Sequence, residues 1–200
     1  DPDAATLYAE ALMDLRPWNY WLPDGRPYPG TEEIAASLER VIAHDPKHLG
    51  ALHLSIHLWE AFEPHRAEQA ADTLLTLAPA AGHLVHMPGH IYQRVGRYDD
   101  VIKANQLAIR ADEDYISQCR AQGIYPLGYY PHNIHFLWFG ATMAGRSELA
   151  IEAARKTVNA VPQEAVQEMP ILQTFLLVED FALVRFGRWD EILQLGSLKY

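Results

Sequence analysis

The stretch GRYDDVIKANQLAI (Gly96–Ile109) recurs in kind twice, as GRSELAIEAARKTV (Gly145–Val158) and GRWDEILQLGSL (Gly187–Leu198). Each opens with Gly-Arg, passes a variable residue, sets two mostly acidic or polar residues, and runs into an apolar, helix-periodic segment. The glycine reads as a turn between helices, and the acids suit the first turn of the second helix. Aromatic-rich segments precede each turn: HIYQRV (90–95), IHFLWFGATMA (134–144) and LLVEDFALVRF (176–186). Pro46, Pro79 and Pro162 close comparable second helices, and Pro46 lies 33 residues before Pro79. Further helix signals are DAATLYAEALMDL (3–15), TEEIAASLERVIAHDP (31–46) with Thr31 as its N-cap, and AEQAADTLLTLAP (67–79). No segment alternates as a half-buried strand does.

This pattern resembles the tetratricopeptide repeat (TPR) family, whose unit is a helix–turn–helix of about 34 residues. The small residues Ala67, Ala71, Ala108, Ala150 and Ala154 fit, as do the closing prolines. The resemblance covers nearly the whole chain. It implies an all-α, TPR-like right-handed solenoid of about five antiparallel helix pairs, read as one domain over residues 1–200. Two long inserts depart from it, RPWNYWLPDGRPYPG (16–30) and DYISQCRAQGIYPLGYY (114–130). Excursions of this length either carry function or cap exposed apolar ends. Trp18, Tyr20 and Trp21 likewise either cover the groove or cap the solenoid. The chain opens DPDAATLYAE without Met and closes LQLGSLKY inside a helical pattern, so both ends read as cuts in a longer chain.

Sixteen Lys plus Arg stand against twenty-six Asp plus Glu, a net charge of -10. That balance gives no electrostatic reason to bind nucleic acid or an anionic membrane, and it favours cations. No apolar run reaches the length of a membrane span. The chain reads as soluble; no signal encodes its location, and the cytoplasm is favoured. The one cysteine, Cys119, excludes an intrachain disulfide and reads as a packed thiol.

The histidines carry the functional reading. HLVHMPGHIY (His83–Tyr92) holds His83, His86 and His90. His83 and His86 lie 13 and 10 residues before Gly96; His132 and His135 lie 13 and 10 before Gly145. His53 and His57, with Glu60 three further on, form a third pair, one residue out of register. An extra residue in the turn AFEPHR restores the match. Spacings of three, four and seven put side chains on one helix face. In the TPR family the first helices line the concave surface, so the resemblance implies seven imidazoles facing one groove. Pro88 either starts a helix or kinks one. Pro131 suits a first turn, placing His132 and His135 early in their helix.

Neutral imidazole is a ligand for Zn, Cu, Ni or Fe. The first expectation is therefore a transition-metal site, Zn or Cu above all, with His53, His57, His83, His86, His90, His132 and His135 as ligands. Seven histidines exceed one tetrahedral site, so two metals, or one with second-shell histidines, fit better. The scarcity of inner carboxylates argues against Ca or Mg. Glu60 is expected as ligand or general base, with Tyr92 as a further catalytic group. Tyr129, Tyr130, Asn133 and Arg94 are expected to hold a polar substrate. A second reading is a metal-free acid–base or anion-binding pocket, where Tyr92 joins those four in holding the substrate. The alternative is a metal-free scaffold binding a peptide or protein partner in the groove. His44, His48 and His65 sit near loops and read as solvated.

Overall fold

The Gly-Arg turns explain where helices end. Gly96, Gly145 and Gly187 take φ of 80°, 72° and 67°, a region open to glycine at little cost. After each glycine, the arginine N–H donates to the carbonyl five residues back: Arg97 to Tyr92, Arg146 to Ala141 and Arg188 to Leu183, all at 2.9 Å. This Schellman closure satisfies a helix carbonyl that would otherwise have no partner. The arginine side chains add a second regularity. Arg146 reaches Asp99 at 2.6 Å and Arg188 reaches Glu148 at 3.0 Å. Each acid is the third residue after the preceding turn's glycine. The motif Gly-Arg-x-acid is thus a ladder, the arginine of one turn meeting the acid of the turn before.

The computed structural model describes residues 1–120 and 122–195. They are helical, with no strand among them, and the expected helix over 196–200 lies outside them. Residue contacts group the chain into two compact units, Asp1–Pro79 with Leu84–Arg97, and Ala80–His83 with Tyr98 onward. The first contains α1 (Pro2–Asp14), α2 (Thr31–His44), α3 (Leu49–Trp59), a 3₁₀ turn (Pro64–Ala67) and α4 (Glu68–Leu74). Then come α5 (Gly82–His86), which gives its first two residues to the second unit, and α6 (Pro88–Arg94). Within unit 1, α1 packs on α2, α2 on α3, α3 on α4, and α6 on α3 and α4. Leu38, Leu52, Ile56, Leu58, Leu74 and Ile91 fill its core.

The structure decides between the two readings of Pro88. Helix α5 stops at His86, Met87 keeps helical angles (φ -50°, ψ -40°), and α6 restarts with Pro88 in its first turn. The missing N–H costs little there. Two sequence expectations are corrected. The N-cap of α2 is Gly30 (φ 97°), not Thr31; Thr31 starts the helix, and its hydroxyl donates to the Tyr20 carbonyl at 2.7 Å. His48 is not solvated: it caps α3, its Nδ1 accepting from the Ala51 N–H at 3.2 Å while Nε2 bonds Asp3 at 3.0 Å. His44 and His65 are exposed as expected.

The insert over 16–30 folds as a small antiparallel loop, with a bridge between Trp21 and Pro27. Trp21 anchors it. The indole N–H donates to the Leu58 carbonyl at 2.7 Å, and the ring stacks on Phe62 at 5.4 Å.

Unit 2 contains α7 (Tyr98–Cys119), a π-helical turn (Tyr125–Tyr129), α8 (Tyr130–Met143) and α9 (Ser147–Asn159). Next are α10 (Gln163–Glu168), a 3₁₀ turn (Pro170–Leu172), α11 (Gln173–Leu176), α12 (Val178–Arg185) and α13 (Trp189–Leu195). Helix α8 packs on both α7 and α9, and α12 packs on α9. Gly140 lets α8 approach α7 closely: a Cβ there would lie 2.8 Å from Val101 Cγ1. Cys119, inside the 114–130 insert, is exposed at the end of α7 rather than packed. Among the described residues no helix is long and apolar enough to cross a membrane.

Three substitutions separate these effects in urea denaturation. Gly145→Ala should cost about 1–2 kcal/mol, since its backbone angle disfavours a side chain although the space around it is open. Gly140→Ala should cost about 1–3 kcal/mol by overpacking α7 against α8. Arg146→Ala breaks only an exposed ion pair and should cost under about 1 kcal/mol.

Candidate functional site

Unit 1 assembles four histidines around one carboxylate. His53 and His57 are one helical turn apart on α3, and their Nε2 atoms face each other at 3.1 Å. His86 and His90 are also four residues apart. Because the backbone stays helical through Met87, they too are neighbours, with Nε2 atoms 2.9 Å apart. Glu60, just past α3, stands between the pairs. His57 Nδ1 lies 3.2 Å from Glu60 Oε1, and His90 Nδ1 lies 2.6 Å from Glu60 Oε2. The His57 and His90 rings are 6.0 Å apart. One continuous hydrogen-bonded chain therefore runs His53–His57–Glu60–His90–His86.

The site is half-enclosed. His86 is fully buried, whereas the side chains of His57, Glu60 and His90 are 14–16% exposed. Burial by itself pushes the Glu60 carboxyl upward. Hydrogen bonds and charge from His57 and His90 outweigh burial and hold it at about 2. Trp18, from the insert, sets its ring edge-on to His57 at 6.4 Å. Its backbone takes φ 58°, uncommon for a bulky residue, and its side chain is exposed.

The other expected site residues make the following contacts. Tyr92 is buried and donates its hydroxyl to Asp72 at 2.8 Å, with the Arg97 guanidinium 4.3 Å over its ring. Those contacts tie α6 to α4. Arg94 is exposed on α6. His83, His132 and His135 belong to unit 2. The His83 ring is edge-on to Tyr129 at 5.2 Å, and His132 sits 4.8 Å from the Phe136 ring. His135 packs against Trp138 and Phe175 at 4.9 and 5.6 Å. Burial in this aromatic setting drives its pKa down to about 4. Tyr130 donates to Glu113 at 2.9 Å, and Asn133 donates to Asp112 at 2.7 Å.

Asp112 escaped the sequence reading. It is wholly buried on α7 and accepts from Tyr125 at 2.6 Å as well as from Asn133. Burial raises its pKa, against the two hydrogen bonds, and the Glu113 charge adds to the rise. Gly82 presses so close that a Cβ there would overlap the carboxylate. The available cue was helical phase: Asp112 follows the small residue Ala108 by one turn and shares its buried face. Close by in sequence, Ile124, Tyr129, His132, Met169 and Phe175 line a cavity of about 350 Å³ within unit 2.

The fold and these side chains define a helical-repeat protein of TPR-like architecture that carries a half-buried histidine–carboxylate network. Two solved structures share the fold. A crystal structure of MamA is 16% identical with a TM-score of 0.58, covering 98% of this chain and 97% of that one. A second MamA crystal structure is 15% identical with a TM-score of 0.54, covering 80% of this chain and 91% of that one. No protein-family model and no curated protein matches the sequence.

The His135 environment yields a pH dependence. Its folded pKa lies near 4, below the 6.5 of the free side chain. Between these values the unfolded chain binds a proton that the folded chain refuses. Stability from this group is therefore complete above about pH 6.5 and is lost as the pH falls toward about 4. The loss is at most about 3 kcal/mol. Denaturation of wild type and His135→Leu across this range should show the variant with the shallower acid slope.

Proposed function

We propose that unit 1 binds transition-metal ions, zinc or copper, through two facing pairs of Nε2 atoms, His53 with His57 and His86 with His90. The carrying observation is the pair of facing Nε2 atoms at 3.1 and 2.9 Å. Two nitrogens each about 2.0–2.1 Å from a shared ion lie roughly 3 Å apart, so each pair needs little rearrangement to chelate. Imidazole donors select borderline metals, and the single carboxylate here is turned toward Nδ1 atoms, which disfavours Ca and Mg. The partial exposure of His57 and His90 leaves a side open to a small ligand. An ion there would supply Lewis-acid chemistry or storage capacity. Tyr92 and Arg94 are not required by this reading.

A second reading is favoured by the TPR-like scaffold and the apolar cavity of unit 2: a peptide or protein partner that seats an apolar side chain against Met169 and Phe175. The two readings part on one experiment. Protein purified without a His tag should carry near-stoichiometric zinc or copper by elemental analysis. Protein without metal, and without tight uptake of either ion by calorimetry, sinks the metal reading. His57→Ala with His90→Ala should weaken uptake at least 100-fold while peptide binding, if present, survives. EDTA should lower the melting temperature of the loaded protein, since binding to the folded state alone stabilises it.

A further inference from the structure

We infer that Glu60 is a positioning residue that fixes the tautomers of His57 and His90 together, presenting both Nε2 lone pairs toward the other two histidines. The metal role of this device rests on the metal-binding reading above; the tautomers themselves do not.

The argument is one of donors and acceptors. A carboxylate only accepts hydrogen bonds. Its two oxygens face His57 Nδ1 at 3.2 Å and His90 Nδ1 at 2.6 Å. Both Nδ1 atoms must then carry the proton and donate it to Glu60. When both rings are neutral the remaining nitrogen is an acceptor, so in that state the Nε2 atoms of His57 and His90 both offer lone pairs. Each faces a second Nε2, that of His53 or His86, at 3.1 and 2.9 Å. Those contacts are hydrogen bonds only if the outer imidazole carries the Nε2 proton. The chain thus has one consistent polarity, with protons pointing inward toward Glu60 from both ends. A metal entering either pair meets one nitrogen already in the ligating form, and needs a proton moved only from the outer one. A carboxylate behind a histidine in this way orients the ring and raises its basicity. Here one carboxylate does so for histidines on two helices, α3 and α6.

Glu60→Gln tests this at constant shape. The amide oxygen still accepts from one Nδ1–H. The amide NH₂ donates, and it can bond the other ring only if that ring's Nδ1 is bare. One inner histidine must then move its proton to Nε2. The readout is ¹⁵N–¹H correlation of histidine side chains in metal-free protein at pH 8, with zinc titration run beside it. Wild type should show His57 and His90 as Nδ1–H and His53 and His86 as Nε2–H. Glu60→Gln should convert one of the inner pair to Nε2–H and weaken zinc binding roughly 10–100-fold. An Nε2–H tautomer at either His57 or His90 in wild type overturns the inference, and this holds even if the variant fails to fold. Unchanged inner tautomers in Glu60→Gln also overturn it. Wild type that takes up no zinc removes the metal reading alone, leaving the tautomer assignment to be judged by the spectra. Zinc affinity unchanged in a variant whose tautomer has switched removes the positioning role.

Discussion

A buried imidazole must find a hydrogen-bond partner, since leaving one unpaired costs on the order of 1–3 kcal/mol. Unit 1 gathers four of them, His53, His57, His86 and His90, in one network around a single carboxylate. Glu60 is the one member of this five-residue network that can only accept, so it sets the direction of its bonds to His57 and His90. The rest of unit 1 is organised around keeping it there. Helix α6 packs on α3, Pro88 breaks the helix without breaking its path, and Trp21 ties the insert to the end of α3 through the Leu58 carbonyl.

Unit 2 solves a different problem with related parts. Its histidines lie among aromatic rings, and burial alone governs His135. Its buried carboxylate, Asp112, accepts from a tyrosine and an amide rather than from imidazoles. These donors carry no charge to offset burial, so the carboxyl is pushed up. In unit 1 two imidazoles hold Glu60 down. Two carboxyls, Glu60 and Asp112, are thus shifted in opposite directions, and their neighbours decide which.

The repeats were legible because their causes are local. A glycine that must be left-handed, an arginine that closes the helix behind it and an acid that starts the next are all fixed within a few residues. The His53/His57 pair was legible for the same reason, since four residues make one helical turn; register along the chain paired His86 with His83, whereas the fold also sets it against His90. Thr31 misled because Ser, Thr and Asp favour N-caps in general, while this helix is entered through Gly30 and the threonine hydroxyl is taken by the insert. His48 misled in the other direction, since nothing adjacent in sequence announces that Asp3 will meet it.

The sequence by itself determined the helices, their turns and the spacing of imidazoles along them, since each of these depends on backbone geometry over less than two turns. Only the tertiary structure decided that Glu60 faces two histidines through their Nδ1 atoms, that Tyr92 gives its hydroxyl to Asp72, and that Asp112 is buried. Those outcomes require residues separated by 20 or more positions, or a helix face sealed by another element. Hydrogen bonds act over about 3 Å, so no pattern along the chain encodes a partner until packing brings it within reach.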